Sequence, residues 1–177
     1  YPFGYRATYA TLLHVPPGVD CFVCRGGEHP MEVMFHRRTP LGGWTTAKPL
    51  MTQDIAPQYT YNGAMLAADA RGTIYVAGAF YNAEDAYSAG VAVLKSADLG
   101  DTWRDLDGNP VETPIRYAAR YAVPHGEARF DPRINGLVTD STGMLWALTC
   151  CRSALDRGLL LSHRQDGQWH TTDVSAF

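Results

Sequence analysis

Three times along this chain of 177 residues the same short plan returns: an apolar run, a tight turn rich in Gly, Pro or Asp, and a second apolar run. The segments are Tyr9 to Arg25 turning at Val15-Pro-Pro-Gly-Val19, Tyr61 to Phe80 turning at Asp69-Ala-Arg-Gly72, and Ile134 to Cys150 turning at Asp140-Ser-Thr-Gly143. Each reads as a hairpin of two buried strands, and helical periodicity is nearly absent, which is an all-β pattern. Some way after each hairpin a second strand pair closes on a tryptophan, at Trp44, Trp103 and Trp169. The repeating unit is therefore a four-stranded antiparallel sheet, over approximately 5–50, 58–115 and 130–175.

Such sheets need an apolar supply, and 46% hydrophobic against 19% charged residues provides the core of one globular domain. The formal charge of -3 gives no overall basic field, so a nucleic-acid partner is not expected. The longest apolar stretches, Gly90 to Leu94 and Gly158 to Ser162, fall far short of the roughly 20 residues of a membrane-spanning helix. The sequence opens at Tyr1 with no charged-then-apolar leader, as expected of a processed chain or a piece of a longer one. Cys21 and Cys24 have the gap of a zinc half-site, but on a strand an odd separation sends side chains to opposite faces. These thiols are expected to be small buried side chains, and the adjacent Cys150 and Cys151 are likewise strand-like and diverging.

The most specific local signal lies in the middle repeat, where Ser96-Ala-Asp98-Leu-Gly100-Asp101-Thr102-Trp103 fits Ser-x-Asp-x-Gly-x-Thr-Trp. A worn copy, Ser162 to Trp169 with Asp166 and Gly167, stands in the third repeat, and the first keeps Gly42-Gly43-Trp44. The pattern resembles the Asp box of sialidase-like, BNR-repeat β-propellers. The residue types suit a turn device: a short carboxylate bonds nearby backbone N–H groups, Gly permits positive φ, and the indole covers the core. Ser96, Asp98, Gly100, Thr102 and Trp103 are therefore read as scaffold. The repeat steps exceed the roughly 40 to 50 residues of common propeller blades, the excess going into loops. Three blades are too few to close a ring. The resemblance implies part of a six- or seven-bladed propeller, unless residues 105–132 hide a degenerate fourth blade.

If the first hairpin pivots about Pro17, Tyr9 stands directly opposite Arg25 at its open end. A phenol beside a fixed cation forms an acid/base group with an anion clamp. The corresponding ends of the other hairpins offer Tyr61 with Asn62 and, less clearly, Asn135, while His125 precedes the third repeat. These are side chains suited to sugar binding, where hydroxyls need two-way hydrogen bonding and a ring needs an apolar face. Plain cross-strand packing of Tyr9 with Arg25 is the competing reading. Arg37 and Arg38 read as a solvated face, and no carboxylate can be placed beside His14, His36, His163 or His170.

The runs Asp20 to Gly27, Gly43 to Leu50, Lys95 to Val111 and Pro114-Ile115 resemble the BNR-repeat family that includes the ulvan-type polysaccharide lyases. The resemblance covers roughly residues 5–150. In those lyases a propeller tyrosine is the catalytic acid/base and an arginine follows it on the paired strand, an arrangement that Tyr9 and Arg25 fit. The family's histidines, from blades that would precede Tyr1, are absent. The implied reaction is β-elimination on a uronate-containing, ulvan-like polysaccharide. It needs no catalytic cofactor, although relatives hold a structural metal, for which His29 is the position to inspect.

Two other functions remain open from the sequence. One is a noncatalytic carbohydrate-binding propeller, because Asp boxes also occur on inert scaffolds. The other is a sialidase-like hydrolase, for which Arg6, Arg25, Arg120 and Arg133 supply the residue type but no Arg-Ile-Pro opening exists. The expected partners are an acidic polysaccharide and the remaining blades, from the rest of the chain or another copy. Polymer substrates lie outside cells, so a secreted or periplasmic location is expected.

Overall fold

The computed structural model describes residues 7–16, 18–26, 32–38, 41–52, 64–82, 87–126, 130–152 and 157–176. It is all-β, with no α-helix among them. The first sheet runs in the order β1 (Thr8–Val15), β2 (Val19–Gly26), β3 (Glu32–Arg38) and β4 (Lys48–Met51). The second runs β5 (Ala64–Ala68), β6 (Ile74–Asn82), β7 (Tyr87–Ser96), β8 (Trp103–Arg104) and β9 (Pro110–Val111). A short return strand, β10 (Ala122–Val123), pairs with β7. The third sheet runs β11 (Phe130–Thr139), β12 (Leu145–Arg152), β13 (Arg157–Gln165) and β14 (Gln168–Asp173). Every strand-to-strand pairing within the sheets is antiparallel, so the architecture is that of partial propeller blades. Among the described residues, 105–132 build no fourth sheet: β9 and β10 join the second, and β11 opens the third.

Burial explains why the second sheet is the most continuously apolar. Its residues alternate between two cores, Ile74, Val76, Ala92 and Leu94 facing the first sheet and Ala77, Ala79, Val91 and Val93 facing the third. A strand buried on both faces has no polar side to present. The outer sheets bury one face each, and β12 shows it as a strict alternation of buried and half-buried positions. Their other faces carry apolar groups in water, Leu12 at 62% exposure on β1 and Val138 at 59% on β11. Cys21, Cys24 and Cys151 are buried and all four cysteines are free thiols. Burial pushes the Cys21 and Cys24 thiols up to about 11, which leaves them protonated and unreactive at neutral pH.

The turn between β7 and β8 is locked by its own side chains. Asp98 Oδ1 accepts from Thr102 N at 2.9 Å and from the Ser96 hydroxyl at 2.7 Å, while Asp98 Oδ2 accepts from the Thr102 hydroxyl at 2.6 Å. Gly100 lies at φ +88°, and a Cβ there would fall 2.2 Å from Phe35 of the first sheet. Phe35 in turn meets Trp103 edge-on, with ring centroids 5.2 Å apart. This turn is thus a dock between sheets.

Arg37 is part of that dock, which corrects its reading as a solvated residue. It donates to Leu99 O at 3.0 Å and to Asp101 Oδ1 at 2.8 Å, because the first sheet packs β3 against this turn. His14 likewise has a carboxylate partner, Asp20 Oδ1 at 2.8 Å, brought opposite it by the β1–β2 register.

Hydrogen bonds make three turn carboxylates acid-sensitive. At Asp98 and Asp105 burial pushes the carboxyl up, but bonds from Thr102 and Ser96, and from Asn109, outweigh it and hold both below the usual range. Asp140 is held well below by the Thr142 hydroxyl, the Trp146 indole and backbone N–H groups. A carboxyl whose folded pKa is depressed stabilises fully above the unfolded value of about 4 and loses that contribution as pH falls toward the folded one. The thermal midpoint is therefore expected to be level above pH 5 and to fall below pH 4. Asp140→Asn should make that fall shallower; an equally steep acid fall in the variant would count against the assignment.

Candidate functional site at the strand starts

The first strands of the three hairpins stand side by side. Thr11 Oγ1 on β1 donates to Ala64 O at the start of β5 (2.9 Å), and Thr139 Oγ1 at the end of β11 donates to Ala68 O at the end of β5 (2.7 Å). The turns meet as well, since a Cβ on Gly72 would fall 2.8 Å from Pro16 O and one on Gly143 4.0 Å from Asp69, so the three strands run the same way, with their hairpin turns at one rim and their starts at the other.

At the starting rim the first hairpin departs from its expected pairing. The register holds from Val15↔Val19 to Thr11↔Val23, then slips, and Thr8 rather than Tyr9 lies opposite Arg25. The reason is a β-bulge: Tyr9 and Ala10 together face Cys24, and Tyr9 takes the left-handed conformation, φ 53°. For a non-glycine residue this costs about 1–2 kcal/mol, and such strain gathers at sites of function. The bulge leaves the Tyr9 side chain 53% exposed and still brings it to Arg25, whose guanidinium carbon lies 4.7 Å from the ring centroid. Arg25 Nε donates to Thr8 Oγ1 at 3.1 Å, which fixes the plane of the guanidinium. Tyr9 and Arg25 are thus brought together, ring face to cation.

The third hairpin repeats this bulge, and Asn135 is not at its open end. β11 begins at Phe130, so Asn135 sits within the strand, an exposed extra residue between Ile134 and Gly136. The place corresponding to Tyr9 belongs to Asp131, φ 54°, in the bulge between Phe130↔Arg152 and Arg133↔Cys150. Asp131 is buried to 2% exposure. Its Oδ1 accepts from Ser88 N at 2.8 Å, and its Oδ2 faces Arg133 Nη2 at 2.8 Å and Arg152 Nε at 3.2 Å. The sequence signal was available in Phe130-Asp-Pro-Arg133, an acid and a base flanking a proline at a strand start.

His125 follows β10 and is half-buried; burial lowers its pKa, opposed by its hydrogen bond to the Val123 backbone. Arg120 lies over the Tyr121 ring, 4.6 Å from the centroid, so Arg25, Arg120 and Arg133 are each engaged by a near neighbour. Tyr61, Asn62, His29, Arg6 and Pro17 lie outside the described residues. Among the described residues no group of three or more His, Cys, Asp or Glu could hold a metal ion, and no helix is long and apolar enough to cross a membrane.

No family model and no curated protein matches this sequence. Its fold is similar to that of the polysaccharide lyase Uly1, at 17% identity and a TM-score of 0.73 over 97% of this chain and 41% of that one. It is also similar to a PL25 ulvan lyase, at 10% identity and a TM-score of 0.71 over 93% and 43%. That lyase has been solved with -[GlcA(1-4)Rha3S]- bound. A protein of unknown function from Dyadobacter fermentans gives 14% identity and a TM-score of 0.60 over 94% and 54%. The chain thus spans less than half the length of the two lyases, and at these identities the likeness is one of fold.

Proposed function

We propose that this chain is part of a larger propeller that cleaves a uronate-containing polysaccharide, such as a sulfated ulvan-like chain, by β-elimination. The observation that carries this reading is the guanidinium of Arg25 held over an exposed, strained Tyr9 at the strand-start rim. The fold shared with two polysaccharide lyases supports it.

In this reading Arg25 neutralises the uronate carboxylate, which makes the adjacent C5 proton more acidic. Loss of that proton leaves an electron pair that forms the C4–C5 double bond and breaks the C4–O bond. The departing glycosidic oxygen takes a proton; Tyr9 is the group that removes the first proton or supplies the second, and solvent water at the exposed rim completes the other transfer. The elimination runs on side chains without a cofactor. The apolar outer faces of the first and third sheets are where further blades, from more chain or a second copy, complete the ring. Since polymer substrates lie outside cells, the enzyme works as a secreted or periplasmic protein.

The test is incubation with uronate polysaccharides while following the ultraviolet absorbance of an unsaturated uronic product. Growth of that band is expected. New reducing ends without it would mean a hydrolase, and neither signal would leave a noncatalytic sugar-binding propeller.

A further inference from the structure

We propose that the opposite rim carries a second glycan site, a cleft that binds an acidic sugar unit of a polysaccharide chain without cutting it. The cleft, about 480 Å³, opens between the β5–β6 turn and the β11–β12 turn. Register sets its floor: Tyr75 pairs with Lys95 and Lys95 with Arg104, so the three side chains form a row across β6, β7 and β8. Arg71 stands on one wall and Ser141 to Gly143 on the other.

The charge in this cleft is one-sided. Three cations face one lining carboxylate, Asp69, whose Oδ1 already accepts from the backbone N–H groups of Arg71 (2.9 Å) and Thr73 (2.8 Å). Lys95 Nζ donates to Leu106 O and Arg104 Nη1 to Gly108 O, each at 2.8 Å. Those acceptors are neutral carbonyls: they hold the cations in place and leave their charge uncompensated. Among the described residues none of the three cations forms an ion pair with a carboxylate. In a chain of net charge -3 such a cluster is a local positive focus. Pre-positioned cations lose little freedom on binding an anion, and the half-buried Tyr75 ring gives a sugar an apolar face. The combination fits a carboxylate or sulfate on a pyranose ring. No residue of this cleft belongs to the Tyr9–Arg25 site, so the two sites fail or stand separately.

The chain is titrated with a chondroitin sulfate tetrasaccharide, its desulfated form, neutral maltotetraose and inorganic tripolyphosphate, reading binding heat and backbone amide NMR shifts. Both acidic tetrasaccharides are expected to shift amides at Arg71, Lys95 and Ser141 to Gly143, and maltotetraose is not. Equal binding by the desulfated form assigns the carboxylate as the recognised group, and weaker binding assigns the sulfate. Arg71→Gln, an exposed turn position, should weaken binding about tenfold and Arg71→Gln with Arg104→Gln about a hundredfold, while Arg25→Gln leaves these shifts in place. The proposal is overturned if the shifts lie only at the strand-start rim or if both arginine variants bind as before. Tighter binding of tripolyphosphate than of either tetrasaccharide would overturn it too.

Discussion

Tyr9→Phe is expected to lower turnover of a uronate polysaccharide by about 10²- to 10⁴-fold, the usual worth of one positioned acid/base group, with sugar binding largely kept. The substitution is clean for a geometric reason. Arg25 lies over the ring face, 4.7 Å from its centroid, and a phenyl ring offers the same face. The bulge at φ 53° strains Phe as it strains Tyr, and the Arg25 bond to Thr8 is untouched. Only the hydroxyl is removed. Product absorbance measured beside direct binding of the same polymer, in the completed ring, separates the two quantities. Unchanged turnover would return Tyr9 to a packing role, in which the cation merely covers an exposed aromatic ring worth about 0.5–1 kcal/mol.

The parts of this molecule that depend on neighbours in sequence are legible in the sequence itself. Apolar runs between glycine turns identify the hairpins, and the Ser96-to-Trp103 turn follows from residues that bond within four positions of one another. What depends on docking was not readable. Arg37 reaches Asp101 only because β3 packs against a turn 64 residues away. The bulge at Tyr9 carries no glycine to announce it, and one extra residue shifts the partner of Arg25 from Tyr9 to Thr8. The same effect hid Asp131: a hairpin read from Ile134 puts Asn135 beside its open end, whereas β11 carries two bulges and begins four residues earlier, at Phe130. The expected pair nevertheless meets, because a bulge re-aims a side chain without carrying it off the strand end.

Asp131→Ala is expected to cost about 4 kcal/mol of folding stability. Removing one member of a buried ion pair usually costs about 3–5 kcal/mol, because the remaining charge keeps its desolvation and loses its partner. Here the low end applies, near 3 kcal/mol, since Arg133 and Arg152 keep 26% and 34% of their side-chain surface in water. Alanine adds about 1 kcal/mol by sitting at φ 54°, where asparagine and aspartate are tolerated better. Asp131→Asn should therefore fall between wild type and Asp131→Ala, keeping an acceptor for Ser88 N and the backbone preference while losing the charge. Denaturant midpoints of the three proteins at neutral pH give the comparison, and a loss under about 1 kcal/mol in the alanine variant would show that the two arginines settle in water without the carboxylate. Because the Ser88 bond ties β7 to β11 at the rim where Tyr9 sits, the order of the three proteins in stability also measures how firmly that rim is held between the second and third sheets.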